Sequence, residues 1–206
     1  ELNATEDRIA FGKNGLPIIE GKHVSPFEAL TSAPAHRIER DQARERLPGR
    51  LYERARLAYR DVSAVTNRLS LIAAVVPADV VTTHTLLCLR TPEPLVRQHF
   101  LCALFNSYVL NAIVRMLMGG HVTTTLVESL PVPVWTGDVL QRRIASAARR
   151  LSRRSRATSA LHANLQASIA RLYALDGQTF RSVLDGFPLI PRQERDRALE
   201  TFLAFK

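Results

Sequence analysis

The feature that most constrains the fold is a long apolar segment in the middle of the chain, from Leu101 to Met118. Three polar residues interrupt it: Asn106, Asn111 and Arg115. It falls short of the roughly 20 consecutive apolar residues that a membrane-spanning helix needs. Its apolar side chains recur at helical spacing, Pro94 suits a first helical turn, and Gly119-Gly120 suits a helix end. We therefore expect one buried helix over residues 94–118, with the rest of the chain packed around it.

Before this helix the sequence favours short strands. Leu16–Lys22 is a short apolar run, and Arg56–Val62 alternates polar and apolar residues as a half-buried strand does. Arg68–Val76 and Val80–Leu89 are rich in β-branched residues. Because Pro77-Ala78-Asp79 between them is a turn signal, these two runs predict a β-hairpin.

After residue 135 the pattern becomes helical. Val139–Ser155 and Leu161–Ala174 place apolar residues on one side at helical spacing, which predicts an antiparallel helix pair. Thr179 is a candidate N-cap for a short helix, and Pro191 is placed to open a terminal helix. The first helix and its end carry Arg142, Arg143, Arg149, Arg150, Arg153, Arg154 and Arg156. This basic side contacts nucleic acid, or it is a solvated or protein-facing surface.

Together these patterns predict an α+β fold. Residues 1–135 are expected to form a strand-rich, mixed domain around the buried helix, and residues 136–206 a helical extension. With 46% hydrophobic residues, the chain has enough apolar surface to form a packed core rather than remain disordered.

Charge favours a polyanionic partner. The chain has 28 Lys and Arg against 19 Asp and Glu, which gives a net charge of +9 and a pI near 10.5. All but three of these cations are arginines, whose planar guanidinium binds phosphate and guanine in a bidentate manner. A GC-rich genome also enriches arginine, so the net charge, not the ratio of Arg to Lys, supports a polyanionic partner.

Several classes of site are excluded or disfavoured. The two cysteines, Cys88 and Cys102, lie in apolar runs without neighbouring ligands at zinc spacing, which points to a reducing compartment. No glycine-rich phosphate loop, nucleophile elbow or H-E-x-x-H motif is present, so we assign no catalytic or metal-binding residue. No signal peptide opens the chain, and we expect a cytoplasmic protein without a membrane partner. The abrupt start at Glu1 suggests a piece of a longer polypeptide.

Two polar segments are candidates for contact with a polyanion. Thr83 and His84 follow an apolar run, where the imidazole either satisfies a structural hydrogen bond or lines an edge that faces DNA. His121 and Thr123-Thr124-Thr125 follow the central helix in a polar loop. Their hydroxyl groups and backbone amides suit phosphate positioning, although the loop could equally serve only to end the helix.

Five segments in order carry a family resemblance. They are Leu16–Val24 (LPIIEGKHV) with Phe27, Arg56–Val62 (RLAYRDV), Ser70–Pro77 (SLIAAVVP) with Thr82–Leu86, Leu104–Ser107 (LFNS) with Val114-Arg115 and Leu130–Pro133 (LPVP), and Ile169–Leu175 (IARLYAL) with Val183–Pro188 (VLDGFP). In this order they resemble the target-recognition domain that follows the catalytic domain of adenine-specific DNA methyltransferases and of fused type II restriction–modification enzymes. The resemblance covers about residues 12–190.

The resemblance implies sequence-specific binding of double-stranded DNA on behalf of an S-adenosylmethionine-dependent adenine-N6 methyltransferase of a prokaryotic phage-defence system. The chain lacks the family's catalytic N-P-P-Y motif and its glycine-containing cofactor motif. We therefore expect no cofactor here, with S-adenosylmethionine held by an N-terminal methyltransferase domain of the same polypeptide. Two alternatives stay open: the specificity subunit of a multi-subunit restriction system, and a protein-interaction module with an arginine-rich surface.

Within this family frame we expect eight residues to contact DNA: Lys22, His23, Arg60, Arg68, His84, His121, Thr123 and Thr124. Lys22 and Arg60 would position phosphates, unless they form ion pairs with Glu20 and Asp61. The charged segment Ala35–Arg54, either a solvated helix or a long mobile loop, would read or clamp the duplex.

Overall fold

A computed structural model of the chain describes residues 1–32, 34–62, 67–119, 121–153 and 158–204, and these form the mixed α+β fold that the sequence predicts. The strands are β1 (Leu16–Ile19), β2 (Val24–Ser25), β3 (Glu28–Ala29), β4 (His36–Ile38), β5 (Arg56–Arg60), β6 (Ala73–Val76), β7 (Val81–Thr82) and β8 (Leu86–Cys88). The α-helices are α1 (Arg40–Arg46), α2 (Leu95–Phe105), α3 (Tyr108–Leu117), α4 (Thr124–Glu128), α5 (Val139–Leu151), α6 (Ser159–Leu172), α7 (Gly177–Asp185) and α8 (Arg192–Ala204). Short 3-10 helices cover Glu6–Ala10, Gly21–His23 and Leu51–Glu53.

Strand β5 is the middle strand of an antiparallel sheet with the order β6-β5-β8. The alternating pattern of Arg56–Val62 correctly predicts a strand, but the expectation of a half-buried one is wrong. All of Arg56–Tyr59 is buried, because β5 has strands on both edges and α2 packs against it.

The predicted hairpin between Arg68–Val76 and Val80–Leu89 is wrong. β6 pairs with β5, while β7 crosses to a second sheet and pairs in parallel with β1, which pairs on its other edge with β4. The turn at Pro77-Ala78-Asp79 is present, and Asp79 has a left-handed φ of 61°. That turn carries the chain from one sheet to the other, because its backbone is tied elsewhere: Asp79 N donates to Tyr52 O.

The segment Ala35–Arg54, for which the sequence left a helix or a loop open, is a succession of short elements. It contains β4, α1 and the 3-10 helix Leu51–Glu53. Under the sheet β4-β1-β7 lies a small separate core that includes Ile18, Ile38 and Tyr52. This core anchors the charged segment to the rest of the strand region.

The central helix is broken, and the prediction of one continuous helix over residues 94–118 is wrong. α2 ends at Phe105 and α3 begins at Tyr108, with a bend of 62° between them. Asn106 causes the break. Its side-chain amide donates to Cys102 O and Ala73 O, and these bonds compete with a regular helical turn. Ser107 then starts the second helix, its hydroxyl accepting from Leu110 N.

The bent pair is buried in the core on most of its surface. Over the described residues, no single helix has the length and apolar character to cross a membrane, and only α2 and α3 taken together meet that test.

Asn111 links α3 to the loop that precedes β6. Its side-chain oxygen accepts from Ser70 N at 2.9 Å and from Leu71 N at 2.8 Å, and its amide donates to Phe105 O and Ser107 O. The asparagines that interrupt the apolar segment are therefore its buried hydrogen-bonding centres.

The C-terminal helices pack on this centre. α5 lies against α2, and α6 lies against α5 and α8, so one apolar core continues from β5 to Phe202. The helices predicted over Val139–Ser155, Leu161–Ala174 and after Pro191 are confirmed at α5, α6 and α8, although residues 154–157 lie outside the described part of the chain. The predicted division at residue 135 stays a prediction.

The predicted N-cap at Thr179 is wrong. α7 begins earlier, because the Asp176 carboxylate accepts from Thr179 N at 2.7 Å and caps the helix itself.

The Asn111 linkage leads to a stability prediction. Asn111→Ala removes the side-chain partner of two buried backbone N–H groups and of three carbonyls, which should lower the free energy of unfolding by about 3 kcal/mol or more. The matched control is Asn164→Ala in α6, where an exposed asparagine donates only to Ala160 O. We expect the control to change stability by less than about 0.5 kcal/mol. Urea unfolding of both variants checks this, and equal destabilisation would contradict it.

Candidate nucleic-acid interface

The end of β5 joins three separate loops. The Arg60 guanidinium donates from Nε to Val24 O at 2.7 Å, Asp61 N donates to Thr85 O, and Val122 N donates to Asp61 O. These bonds bring the loops that carry Lys22, His84 and His121 to one place in the fold. Because the loops come from distant parts of the sequence, their meeting depends on β5 and not on local pattern.

Lys22 and His23 lie in the 3-10 helix beside this junction. Lys22 Nζ is 2.9 Å from Glu20 Oε2, so the ion pair that the sequence offered as an alternative to phosphate contact is formed. The hydrogen bond to Lys22 lowers the pKa of Glu20. His23 Nδ1 accepts from Glu20 N, and burial, with the nearby Lys22 charge, lowers the pKa of the imidazole. His23 is thus a structural acceptor, whereas the Lys22 side chain is still 65% exposed.

Arg60 and Asp61, both of which the structure describes, form no ion pair with each other. Arg60 is partly buried, and this desolvation lowers the pKa of its guanidinium. Its hydrogen bond to Val24 O holds the side chain against the β2–β3 turn. Arg60 can therefore present only its remaining N–H groups to a ligand.

His84 and His121 are exposed at the junction. His84 Nδ1 accepts from Ala4 N and its backbone N–H donates to Leu2 O, so it also secures the N-terminal segment. His121 forms an isolated antiparallel bridge with Val62. Both rings remain accessible to a partner.

Thr124 begins the short helix α4 and Thr123 caps it, so the polar loop that the sequence predicts over residues 121–125 ends at Thr123. The Thr123 hydroxyl accepts from Leu126 N and caps α4, so this oxygen has a structural use. Thr124 is exposed and its side chain is hydrogen-bonded to Tyr59. Of the two, Thr124 is the better placed to meet a ligand.

Arg60 and Arg68, 8 positions apart in the chain, line one cavity of about 470 Å³. Its wall also contains Tyr108, His162 and Glu194, which come from α3, α6 and α8. Two of the eight predicted DNA contacts therefore share a pocket whose remaining polar groups the sequence did not single out.

These polar groups form a connected network. The Tyr108 hydroxyl donates to Glu194 Oε1 at 2.6 Å, and Arg68 Nη2 lies 3.0 Å from Glu194 Oε2. His162 Nδ1 is 3.6 Å from Glu194 Oε1. Glu194 thus neutralises Arg68 and fixes the position of the Tyr108 hydroxyl. Through Tyr108, His162 and Glu194 the network connects α3, α6 and α8.

Burial controls the protonation of the network. It raises the pKa of Tyr108, and the hydrogen bond to Glu194 acts in the same direction, so the tyrosine keeps its proton. Burial also lowers the pKa of His162. The Glu194 charge opposes that shift and the Arg68 charge adds to it, and we expect a neutral imidazole at pH 7.

Phe27, at the β2–β3 turn, stands over the same cavity in a left-handed backbone conformation with φ of 70°. A phenylalanine rarely adopts this conformation, and such strain is found most often at functional sites. Its N–H donates to Ala73 O, and its buried ring meets the His162 ring edge-on at 6.2 Å. These contacts hold the strained turn in place.

Helix α5 presents an exposed basic face. The exposed arginines of this face are Arg142, Arg143, Arg149, Arg150 and Arg153, of which Arg153 lies just beyond the last residue of the helix. The opposite side, with Ile144, Ala148 and Leu151, is buried, and the helix packs against α2 and α6. The helix contains no Asp or Glu, and within the described ranges none of these arginines forms an ion pair. Arg154 and Arg156, which the sequence analysis includes in this surface, lie outside those ranges.

Helix α5 ends beside the cavity of Arg60 and Arg68, because Leu151, its last residue and part of its buried side, lines that cavity. The Arg149 charge also acts on α2, because it adds to burial in lowering the pKa of the partly buried His99. This convergence was missed from the sequence, since nothing local links residues 60–68 to residue 151.

Comparison of the chain with protein-family models finds no match, and comparison with curated proteins finds none of significant similarity. The functional proposal therefore depends on the surface described above and on the resemblance of the five sequence segments.

The buried imidazole leads to a pH prediction. Because burial holds the pKa of His162 below its ordinary 6.5, the unfolded chain takes up a proton before the folded chain does. The contribution of neutral His162 to stability is complete above about pH 6.5 and is lost as the pH falls. His162→Gln should reduce this loss of stability between about pH 7.5 and about pH 5.

Urea unfolding of the wild type and the variant across this pH range measures the difference. His121→Gln, at an exposed position, is the control and should retain the pH dependence of the wild type. An unchanged acid-side loss in His162→Gln would show that other groups cause it.

Proposed function

We propose that this chain binds double-stranded DNA as the target-recognition domain of an S-adenosylmethionine-dependent adenine-N6 DNA methyltransferase or fused restriction–modification enzyme. The observation that carries DNA binding is the basic face of α5, a helix that contains no carboxylate of its own and ends beside the cavity of Arg60 and Arg68. The order of the five segments supports the family assignment.

The dimensions of the basic face suit a duplex. Arg142 and Arg150 are separated by about 12 Å along the helix axis at 1.5 Å per residue. A duplex carries about seven phosphates over that length of its axis, at one charge per 1.7 Å. Arginines on such a face can neutralise several phosphates at once, and the release of their counterions then favours binding.

The arginines of α1 are less available than those of α5. Arg40 Nη1 lies 2.9 Å from Asp79, Arg44 Nη1 lies 3.6 Å from Asp41, and Arg46 Nη1 lies 2.8 Å from Asp7. These pairs reduce the positive field of the segment Ala35–Arg54. We propose that this segment contributes to sequence reading rather than to the main electrostatic attraction.

In this proposal the two surfaces have separate roles. The α5 face binds phosphates and sets the register, which carries no sequence information. The exposed groups at the end of β5, Lys22, His84, His121 and Thr124, together with the segment Ala35–Arg54, contact base edges or adjacent phosphates. An N-terminal methyltransferase domain would then flip out and methylate an adenine.

The basic face yields a quantitative prediction. The triple variant Arg143→Gln, Arg149→Gln, Arg150→Gln should weaken binding to a duplex of about 21 bp, two helical turns, by tenfold or more. The slope of log K against log salt should fall by about three, because about 0.9 counterion is released per phosphate contact. Fluorescence anisotropy between about 50 and about 200 mM salt measures both quantities.

A control with the same loss of charge is available. Arg97 and Arg192 each pair with a carboxylate and Arg181 is exposed on α7, and replacing all three with Gln changes the net charge by the same amount. We expect this variant to bind nearly as the wild type does. If both triple variants lose affinity equally, net charge and not the α5 face attracts the duplex.

Sequence specificity is tested with the parent protein. Selection from random duplexes at two salt concentrations should enrich a consensus that survives the higher salt and is lost when Ala35–Arg54 is replaced. Binding that falls steeply with salt and enriches no consensus would exclude the recognition-domain proposal. It would favour the arginine-rich protein-interaction module instead.

A further inference from the structure

A second cavity, remote in sequence from α5, contains buried polar groups without complete partners. It has a volume of about 420 Å³ and lies between the turn after α1, the start of β5 and the end of β7. Its polar wall is formed by Arg46, Arg50, Tyr52, Arg56, Thr82 and Arg90. Arg46, Arg50 and Tyr52 belong to the segment Ala35–Arg54 of the proposed DNA contact, but the Tyr52 and Arg56 side chains are buried and out of reach of a duplex.

Arg56 is the central group of this cavity. It is only 3% exposed, and Nη2 donates to Val80 O at 2.9 Å and to Thr82 Oγ1 at 3.2 Å. Within the described ranges, its Nε and Nη1 atoms are buried without a hydrogen-bond partner. The Cys88 thiol lies near the guanidinium, but burial raises the pKa of that thiol, so it provides no negative charge.

A buried guanidinium with unused N–H groups and no carboxylate partner is rare, because buried charges are almost always paired. Across the described ranges Arg56 forms no ion pair with an acidic residue. The arrangement is therefore expected where a ligand completes the set of partners.

Tyr52 supplies a second unused donor in the same wall. Its side chain is 1% exposed, and its hydroxyl is buried without a hydrogen-bond partner. Buried tyrosine hydroxyls usually find a partner. Two unpartnered donors thus occur together in one cavity.

The mouth of the cavity is also positive. Arg50 and Arg90 are exposed there, and the one acidic side chain in the wall, Glu1, accepts from Cys88 N. Arg50 has a left-handed φ of 48°, a strained conformation for arginine. The donors inside and the charges outside are complementary to an anion.

We propose that this cavity binds the phosphate group of a small phosphate monoester. The unused Arg56 N–H groups and the Tyr52 hydroxyl would donate to the phosphate oxygens. The positive charges of Arg50 and Arg90 would balance the remaining negative charge of the phosphate. Leu47, Pro48 and Leu51 provide apolar wall for the organic part. The volume falls within the roughly 300–1,000 Å³ of small-molecule sites.

The geometry favours a terminal phosphate over one within a nucleic-acid strand. The Arg56 and Tyr52 donors are buried, and a monoester can insert its phosphate end-on. A backbone phosphodiester has a chain on both sides and would stay at the mouth.

Isothermal titration calorimetry with phenyl phosphate, at constant ionic strength in chloride, tests the proposal. We expect saturable binding to the wild type, weaker binding of the diester diphenyl phosphate, and no displacement by a DNA duplex. Tyr52→Phe should weaken phenyl phosphate binding about tenfold, because a hydrogen bond to a charged group is lost. Its melting temperature should stay the same or rise, since an unpartnered buried hydroxyl is removed.

Two further variants complete the design. Arg56→Met should abolish binding, and Arg181→Gln, an exposed arginine on α7, controls for the loss of one charge and should bind as the wild type does. If Arg56→Met does not fold, Tyr52→Phe still decides the outcome.

Absence of saturable binding to the wild type, or equal affinity of Tyr52→Phe and the wild type, would overturn the proposal. Displacement of phenyl phosphate by the duplex would overturn the assignment to a small monoester. The triple variant of α5 should keep full phenyl phosphate affinity, so failure of the DNA proposal and failure of this one are distinguishable.

Discussion

The rest of the structure depends on the hydrogen bonds that two buried asparagines make inside the apolar core. Asn106 and Asn111 satisfy the backbone of the segment from Ser70 to Ala73 and, at the same time, the ends of α2 and α3. A buried backbone group left unpaired is costly, so these amides determine where the bent helix pair lies relative to β6. β5 and the loops at its end are positioned in turn by that sheet.

Much of the fold follows from local pattern. The helices near Val139, Leu161 and Pro191 and the strands at Leu16 and Arg56 all have the spacing of the element that forms. The errors occur where a tertiary contact overrides the pattern. Asn106 breaks a segment of continuous helical spacing because β6 supplies its hydrogen-bond partner. The strands on the two sides of Pro77 join different sheets, because β6 pairs with β5 and β7 pairs with β1.

The candidate sites were less predictable than the fold, for a physical reason. The sequence identifies Arg60 and Arg68 as polar residues near strand ends, but their cavity is completed by Tyr108, His162 and Glu194 from three later helices. The sequence also does not indicate whether a charged residue forms an ion pair in the folded chain. Only the three-dimensional arrangement separates the paired arginines of α1 from the unpaired face of α5.

That distinction between paired and unpaired cations explains how one strongly basic chain could hold the two different anion sites that we propose. On α5 the arginines remain in water, lose little by staying unpaired, and suit a large, salt-sensitive contact with a polyanion. Arg56 has already lost its hydration on folding, so a bound phosphate regains interactions that the free protein lacks. The exposed surface therefore favours broad attraction, and the buried cavity favours one small ligand.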